Sequence, residues 1–273
     1  MSDMGGEEVP QVPDPARSGR RVDAGGKAYT VAFAEVGSGD PVVFVHGWAV
    51  GPGPYLESLS RLADHGFRVV APDLTRLGPH WRVSDAVASL ARVVEERVEK
   101  PTAIVGHSLG GGIAALYCGT HRNRVSRLAL INTIGASSLP HSLALLGLHF
   151  LPYISVSRWR TAMGFIETAH SSHGRQSVTD ALRWLRGENL EPELETLARR
   201  HLPATVVWSR GDHLVPLRCG ETIAEKLCAP LVVVDGDHGW LLQDPERFAQ
   251  VISEVLRPSR AEIRPMRLRR ESA

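Results

Sequence analysis

Three residues in this chain have the types and the order that can activate a hydroxyl for attack on an acyl carbon. Ser108 lies at the centre of Gly106-His107-Ser108-Leu109-Gly110. Asp212 lies in Gly211-Asp212-His213-Leu214-Val215-Pro216, and His238 in Asp235-Gly236-Asp237-His238-Gly239-Trp240. A serine hydroxyl is a weak nucleophile, so it needs a base to take its proton, an acid to orient that base, and N–H donors to hold the oxyanion that forms. His238 is the expected base and Asp212 the expected acid. Asp237 and Asp235 compete for the acid's role, but neighbours on a tight turn rarely face each other, which ranks Asp212 first. The expected oxyanion donors are the backbone N–H groups of Leu109, next after the serine, and of Trp48, in the loop His46-Gly47-Trp48.

Such residues are useful only if the chain positions them. A G-x-S-x-G sequence presents its serine on a sharp strand-to-helix turn, where bulk two residues to either side would collide with the strained backbone. The flanks suit that geometry. Thr102-Ala103-Ile104-Val105 is short, apolar and β-branched, as a buried strand should be, and Gly111 to Tyr117 is small and apolar, as a helix packed tightly on that strand should be. Ala204 to Trp208 reads as the strand before Asp212, Leu231 to Val234 as the strand before His238, and Pro41 to Val45 as the strand before His46. Each candidate therefore falls just past the carboxyl end of a strand. Further strands are expected at Ala28–Phe33, Phe67–Ala71 and Val125–Asn132, and helices at about 55–64, 85–98, 221–227 and 245–256, with Ser84 as a candidate cap for the second.

His46-Gly47-Trp48, the turn around Ser108, Asp212 followed by Val215-Pro216, and His238 with Pro245 beyond it together resemble the α/β-hydrolase superfamily, in its capped, esterase- or lipase-like branch. The resemblance covers roughly residues 28 to 256. It implies a mostly parallel, doubly wound α/β sheet with a helical cap insertion, and a Ser-Asp-His order along the chain. It also implies hydrolysis of a carboxylic ester or related acyl compound through an acyl-enzyme, without a cofactor. The same residues would serve cleavage of a carbon–carbon bond, a thioester or a lactone, and a small-molecule receptor on a retained hydrolase scaffold is a reading of another class. In one place the chain departs from relatives, which usually run Asp-x-x-Gly-x-Gly after an early strand; here Asp73-Leu74-Thr75-Arg76-Leu77-Gly78 leads to Pro79-His80-Trp81. Some relatives carry the acid after the strand ending at Ile131, but Asn132-Thr133-Ile134-Gly135 holds no carboxylate.

The bulk properties agree with one large α/β domain: 273 residues, 43% of them hydrophobic. A formal charge of +1 gives no reason to propose nucleic acid as a partner, and the expected partner is a small acyl substrate. Cys118, Cys219 and Cys228 are expected as buried, reduced thiols of a cytoplasmic protein. No metal-ligand spacing and no membrane-length apolar run appears in the sequence. Residues 1–22, rich in Pro, Gly and Glu, are expected to be disordered, with a core at 23–135 and 204–257 and a basic tail at 258–273. The insertion at 136–203 is too long for a simple connection and is expected to form a helical cap over Ser108, with helical pieces at about 143–150, 178–186 and 194–201. Leu146, in the most apolar of these, is a candidate for the substrate pocket, as are His46 and Trp240; the alternatives are packing inside the cap for Leu146, a structural place for His46 and the core for Trp240.

Overall fold

The computed structural model describes residues 18–22, 28–47, 51–76, 82–135 and 190–257. The apolar runs of the sequence pair into an eight-stranded sheet in the order β1-β2-β4-β3-β5-β6-β7-β8. The strands are β1 (Ser18–Val22), β2 (Ala28–Val36), β3 (Asp40–Val45), β4 (Phe67–Pro72), β5 (Thr102–His107), β6 (Val125–Ile131), β7 (Ala204–Ser209) and β8 (Leu231–Val234). β3 to β8 run parallel, while β1 and β2 are antiparallel. The doubly wound α/β class expected from the sequence is the class observed. One expectation is corrected: Ser18–Val22, assigned to a disordered tail, pairs with Ala28–Ala32 as an edge strand. Pro/Gly-rich composition hid it, because an antiparallel edge strand needs backbone partners more than apolar side chains.

A parallel sheet must be covered on both faces, so its strands are buried on both. β3 illustrates this. Val43 and Val45 enter an apolar cluster with α2 (Val83–Arg97), α3 (Leu109–Thr120), α4 (Glu191–Arg199) and α5 (Leu217–Leu227). Val42 and Phe44 enter a second cluster with α1 (Leu56–Asp64), the short α6 (Trp240–Gln243) and α7 (Pro245–Leu256). The helix starts differ in places from the sequence reading. Ser84 does not cap α2; that helix begins one residue earlier, and the Asp85 carboxylate accepts from the N–H of Arg82 at 2.7 Å, which satisfies a group just ahead of the helix. α7 starts at Pro245 as expected, and Asp244 accepts from the Arg247 N–H at 3.0 Å.

Most of the expected cap, 136–189, lies outside the described residues, as does the tail from 258. Its last expected helix is described and belongs elsewhere. Leu194 and Leu197 of α4 are fully buried in the same cluster as α3 and α5, and each such side chain contributes about 1.5–3 kcal/mol on burial. Lys226 of α5 reaches Glu195 at 2.9 Å and Glu191 at 3.5 Å across the seam. α4 is therefore a sheet-flanking helix of the core. Its amphipathic pattern fits either location, and the tertiary contacts decide. Of the cysteines, Cys118 and Cys219 are buried, but Cys228 is exposed, at the left-handed residue that closes α5.

Candidate active site

β5 ends in the most constrained turn of the chain. Ser108 has φ +55° and ψ −122°, a backbone region that side chains rarely adopt. The sequence tolerates this because its neighbours are glycines. A Cβ on Gly110 would lie 2.2 Å from the Val45 carbonyl oxygen, and one on Gly106 would lie 2.6 Å from the Gly111 Cα. The turn is also tied to the next strand: the Ser108 N–H donates to the Ile131 carbonyl at 2.9 Å, and the Ser108 carbonyl accepts from Ile134 at 3.3 Å. The hydroxyl is thus fixed by β5, α3 and the end of β6. Leu109 opens α3, so its N–H has no acceptor within the helix and is oriented as helix N-termini orient their first donors. Trp48, the other expected oxyanion donor, lies outside the described residues, although Gly47 before it is described.

The loops after β7 and β8 bring the other two residues to the hydroxyl. His238 Nε2 is 3.0 Å from Ser108 Oγ, and His238 Nδ1 is 2.8 Å from Asp212 Oδ2. The Asp212 side chain has no exposed surface, and that of His238 is 11% exposed. A carboxylate so enclosed needs donors on every lone pair, and it has them. Oδ1 accepts from the N–H groups of Leu214 and Val215, each at 2.8 Å, and Oδ2 accepts from Asn132 Nδ2 at 2.6 Å as well as from His238. Burial raises the Asp212 pKa, but the facing His238 and these hydrogen bonds outweigh it and hold the group below the usual carboxylate value. Because a carboxylate can only accept, Nδ1 of His238 carries the proton, which leaves Nε2 to accept from the serine hydroxyl.

Asp237, the competing acid, is turned away. Its carboxylate accepts from the Gly239 N–H at 2.9 Å and from Gln243 Nε2 at 2.7 Å, while its carbonyl accepts from Ser209 Oγ at 2.8 Å. Asp235 sits at the surface between Arg210 and Arg247, each 3.8 Å away.

Two residues expected at the pocket have other surroundings. Trp240 is 2% exposed, packs against Phe248 and donates its indole N–H to Asn132 Oδ1 at 3.1 Å. An indole buried this deeply requires an acceptor, and the sequence does not reveal that Asn132 supplies it. His46 is buried with both ring nitrogens engaged: Nδ1–H donates to the Gly47 carbonyl at 2.7 Å, and Nε2 accepts from the Leu74 N–H at 2.9 Å. Burial lowers its pKa, with the nearby Asp73 opposing, so His46 is a neutral tie between the loop after β3 and the end of β4. Leu146 lies outside the described residues.

Sequence reasoning missed Asn132, which sits fully buried at φ +44° and links Asp212, Ser209 and Trp240. The signal was available in part. It follows β6, at a position already noted because some relatives carry the acid there, and asparagine tolerates left-handed backbone better than most residues. Among the described residues no group of three or more metal-ligating side chains converges, and no helix is long and apolar enough to cross a membrane.

The model of the alpha/beta hydrolase family matches residues 42–251. The chain belongs to that family. Among its relatives, a putative non-heme haloperoxidase of Mycobacterium phage D29 is 27% identical over 84% of this chain and 91% of its own length. A 2-hydroxymuconate semialdehyde hydrolase of Pseudomonas putida is 29% identical over 87% of this chain and 94% of its own. A pimeloyl-[acyl-carrier protein] methyl ester esterase of Chromobacterium violaceum is 27% identical over 81% of this chain and 96% of its own. Hydrolysis is the class of activity that this membership supports. The relatives' names differ in substrate, as expected of a fold whose sheet is shared and whose chemistry is set by the site.

Proposed function

We propose that this alpha/beta hydrolase cleaves carboxylic esters or closely related small acyl compounds, with Ser108 as nucleophile, His238 as general base and acid, and Asp212 as the orienting acid. The observation that carries the reading is the unbroken line of hydrogen bonds from Asp212 through His238 to Ser108, at 2.8 and 3.0 Å. In this reading Ser108 Oγ attacks the carbonyl carbon as its proton passes to His238 Nε2. The imidazolium is stabilised by Asp212, and the oxyanion by the N–H groups of Leu109 and Trp48. The proton on Nε2 then passes to the departing alkoxide, which leaves as the alcohol. Water, deprotonated by the same nitrogen, attacks the acyl-enzyme and releases the carboxylic acid with Ser108 restored. The residues named complete this cycle without a cofactor.

The test is labelling with a fluorophosphonate, followed by turnover of p-nitrophenyl esters of increasing acyl length. Labelling of wild type at Ser108, loss of label in Ser108→Ala, and a loss of roughly 10³-fold or more in kcat for that variant are expected. Label on a different serine, or an active Ser108→Ala, refutes the assignment. A second reading is that the same residues cleave a carbon–carbon bond, a thioester or a lactone; the similarity to a relative named for hydrolysis of a semialdehyde, not of an ester, favours keeping it. That reading predicts labelling of Ser108 with poor turnover of every ester in the panel.

A further inference from the structure

The hydrogen bonds around Ser108 include a second line that the reaction steps above do not use. It begins at Gly47, the residue before the expected oxyanion donor. The Gly47 N–H donates to Tyr55 Oη at 3.1 Å. Tyr55 Oη is in turn 2.9 Å from His107 Nδ1, and His107 Nε2 is 3.0 Å from the carbonyl oxygen of His238. The direction of each bond follows from the groups at the two ends. A carbonyl only accepts, so His107 Nε2 carries the proton. In a neutral imidazole Nδ1 then accepts, and the Tyr55 hydroxyl, having accepted from Gly47, donates to it. Every donor and acceptor in the line is used once.

Both side chains are enclosed, Tyr55 at 1% exposure and His107 at 4%. Burial, followed by the proximity of His238, pushes the His107 pKa down to about 3, and burial raises that of Tyr55. Both groups are therefore neutral across the working range of a hydrolase. The line also runs close beside the serine. A Cβ built on Gly47 would lie 2.9 Å from Tyr55 Oη, 3.1 Å from His107 Nδ1 and 3.5 Å from the Ser108 Cβ. The His107 ring is 5.0 Å from the His238 ring, centroid to centroid.

We propose that Tyr55 and His107 are positioning residues: a neutral relay that ties the backbone of the oxyanion-side loop at Gly47 to the backbone of His238, and so fixes the spacing of base and oxyanion donors across Ser108. The relay rests on the reading of Ser108 as nucleophile. The x of the G-x-S-x-G turn, which the sequence leaves open, is constrained here, because a side chain at 107 must accept from Tyr55 and donate towards the loop after β8. Histidine does both from one ring. A phenylalanine at 55 would fill the same apolar space against Phe44, whose ring centroid is 5.0 Å away, but it would leave the Gly47 donor and the His107 acceptor unpaired.

The experiment compares Tyr55→Phe, His107→Gln, His107→Phe and the double variant Tyr55→Phe/His107→Gln with wild type. It measures the rate of fluorophosphonate labelling, kcat and KM on p-nitrophenyl acetate at 25 °C, and the unfolding midpoint. Glutamine carries both an amide donor for the His238 carbonyl and an amide oxygen for Tyr55, whereas phenylalanine carries neither, so His107→Gln should be less impaired than His107→Phe. A drop of about tenfold in labelling rate and kcat, with KM changed less than about twofold, is expected for Tyr55→Phe, as loss of one positioning hydrogen bond implies. The double variant should lose no more than its worse parent, because Tyr55→Phe already breaks the line in which the side chain at 107 takes part. A purely structural role would lower the unfolding midpoint and leave rates at 25 °C at the wild-type level; that result, or losses that multiply in the double variant, overturns the relay. Tyr55→Phe removes a single oxygen and decides the matter alone if the His107 variants do not fold. Ser108→Ala separates the two readings. If it still takes label, or if wild type takes none, the nucleophile assignment fails and the relay with it; if it is silent while Tyr55→Phe is fully active, only the relay fails.

Discussion

Replacing Asp212 by asparagine changes one atom and should disable the enzyme, for a reason visible in the hydrogen bonds. Asp212 Oδ1 accepts from two backbone N–H groups, Leu214 and Val215, both at 2.8 Å. An asparagine amide must therefore place its carbonyl oxygen there, since its NH2 would face two donors. The NH2 then occupies the Oδ2 position, 2.8 Å from His238 Nδ1 and 2.6 Å from Asn132 Nδ2. Against His238 it stabilises the tautomer with Nδ1 unprotonated, which puts the ring proton on Nε2, 3.0 Å from Ser108 Oγ. A base already carrying its proton cannot take another from the serine. The corresponding loss in a serine protease is on the order of 10⁴-fold in kcat, or about 5.4 kcal/mol of barrier. Against Asn132 the NH2 opposes a second donor, which should cost about 1–3 kcal/mol of stability. The assay is kcat on one activated ester for Asp212→Asn and Asp237→Asn, with circular dichroism to confirm folding. Asp237→Asn should lose at most several-fold, because its carboxylate is engaged with Gly239 and Gln243 and not with the His238 ring. A crippled Asp237→Asn beside a largely active Asp212→Asn would refute the assignment of the acid.

Three other outcomes follow from local geometry. Because the folded His107 pKa is depressed to about 3, the unfolded chain binds the proton first as pH falls. This contribution to stability is complete above the ordinary histidine pKa and is lost below it, reaching about 2 kcal/mol by pH 5; urea midpoints between about pH 4.5 and 7.5 should fall less steeply in His107→Gln, and parallel curves would contradict the argument. Gly110→Ala, whose Cβ would lie 2.2 Å from the Val45 carbonyl oxygen, should destabilise by about 3 kcal/mol or more, whereas Gly53→Ala, which would meet nothing within 4 Å, should be near neutral in the same denaturation assay. At Ser108, with φ +55°, glycine should relieve strain that alanine retains, so Ser108→Gly should be at least about 1 kcal/mol more stable than Ser108→Ala; equal midpoints would mean the turn is not strained.

The sheet was legible because its strands are apolar on both faces, and this pattern survives without knowledge of partners. Ser108, Asp212 and His238 could be named because each directly follows such a strand, so that topology alone carries them to one edge of the sheet. What the sequence did not reveal depends on which groups meet across that edge. β1 has no apolar signature, and α4 has an amphipathic pattern that suits a cap or a core helix equally. Trp240 and His46 belong to types often found lining pockets, but whether a ring lines a cavity or fills a core depends on where its N–H finds an acceptor. Tyr55 stands more than fifty residues before Ser108, and only the packing of α1 beside the loop after β3 places its hydroxyl between Gly47 and His107.

Asn132 explains why such contacts matter as much as the three residues in line. A buried carboxylate is costly unless its donors outweigh its lost hydration. Asp212 gets two donors from its own loop, which fix one oxygen, but the oxygen facing His238 would hold only that one bond without Asn132. A carboxylate held at one oxygen can swing about that end, and the His238 ring would swing with it. Asn132 stops this from the opposite side, and it is itself prevented from turning: its oxygen is occupied by the Trp240 indole, and its nitrogen is shared with Ser209. Trp240 begins the helix just after His238, and Ser209 ends the strand just before Asp212. The asparagine therefore connects the two loops whose separation decides whether His238 reaches both Asp212 and Ser108. Its left-handed backbone turns the chain at the end of β6 so that the side chain lies at this junction. Geometry at Ser108 is thus set by hydrogen bonds that close between loops, each using a polar group that would be costly to bury alone.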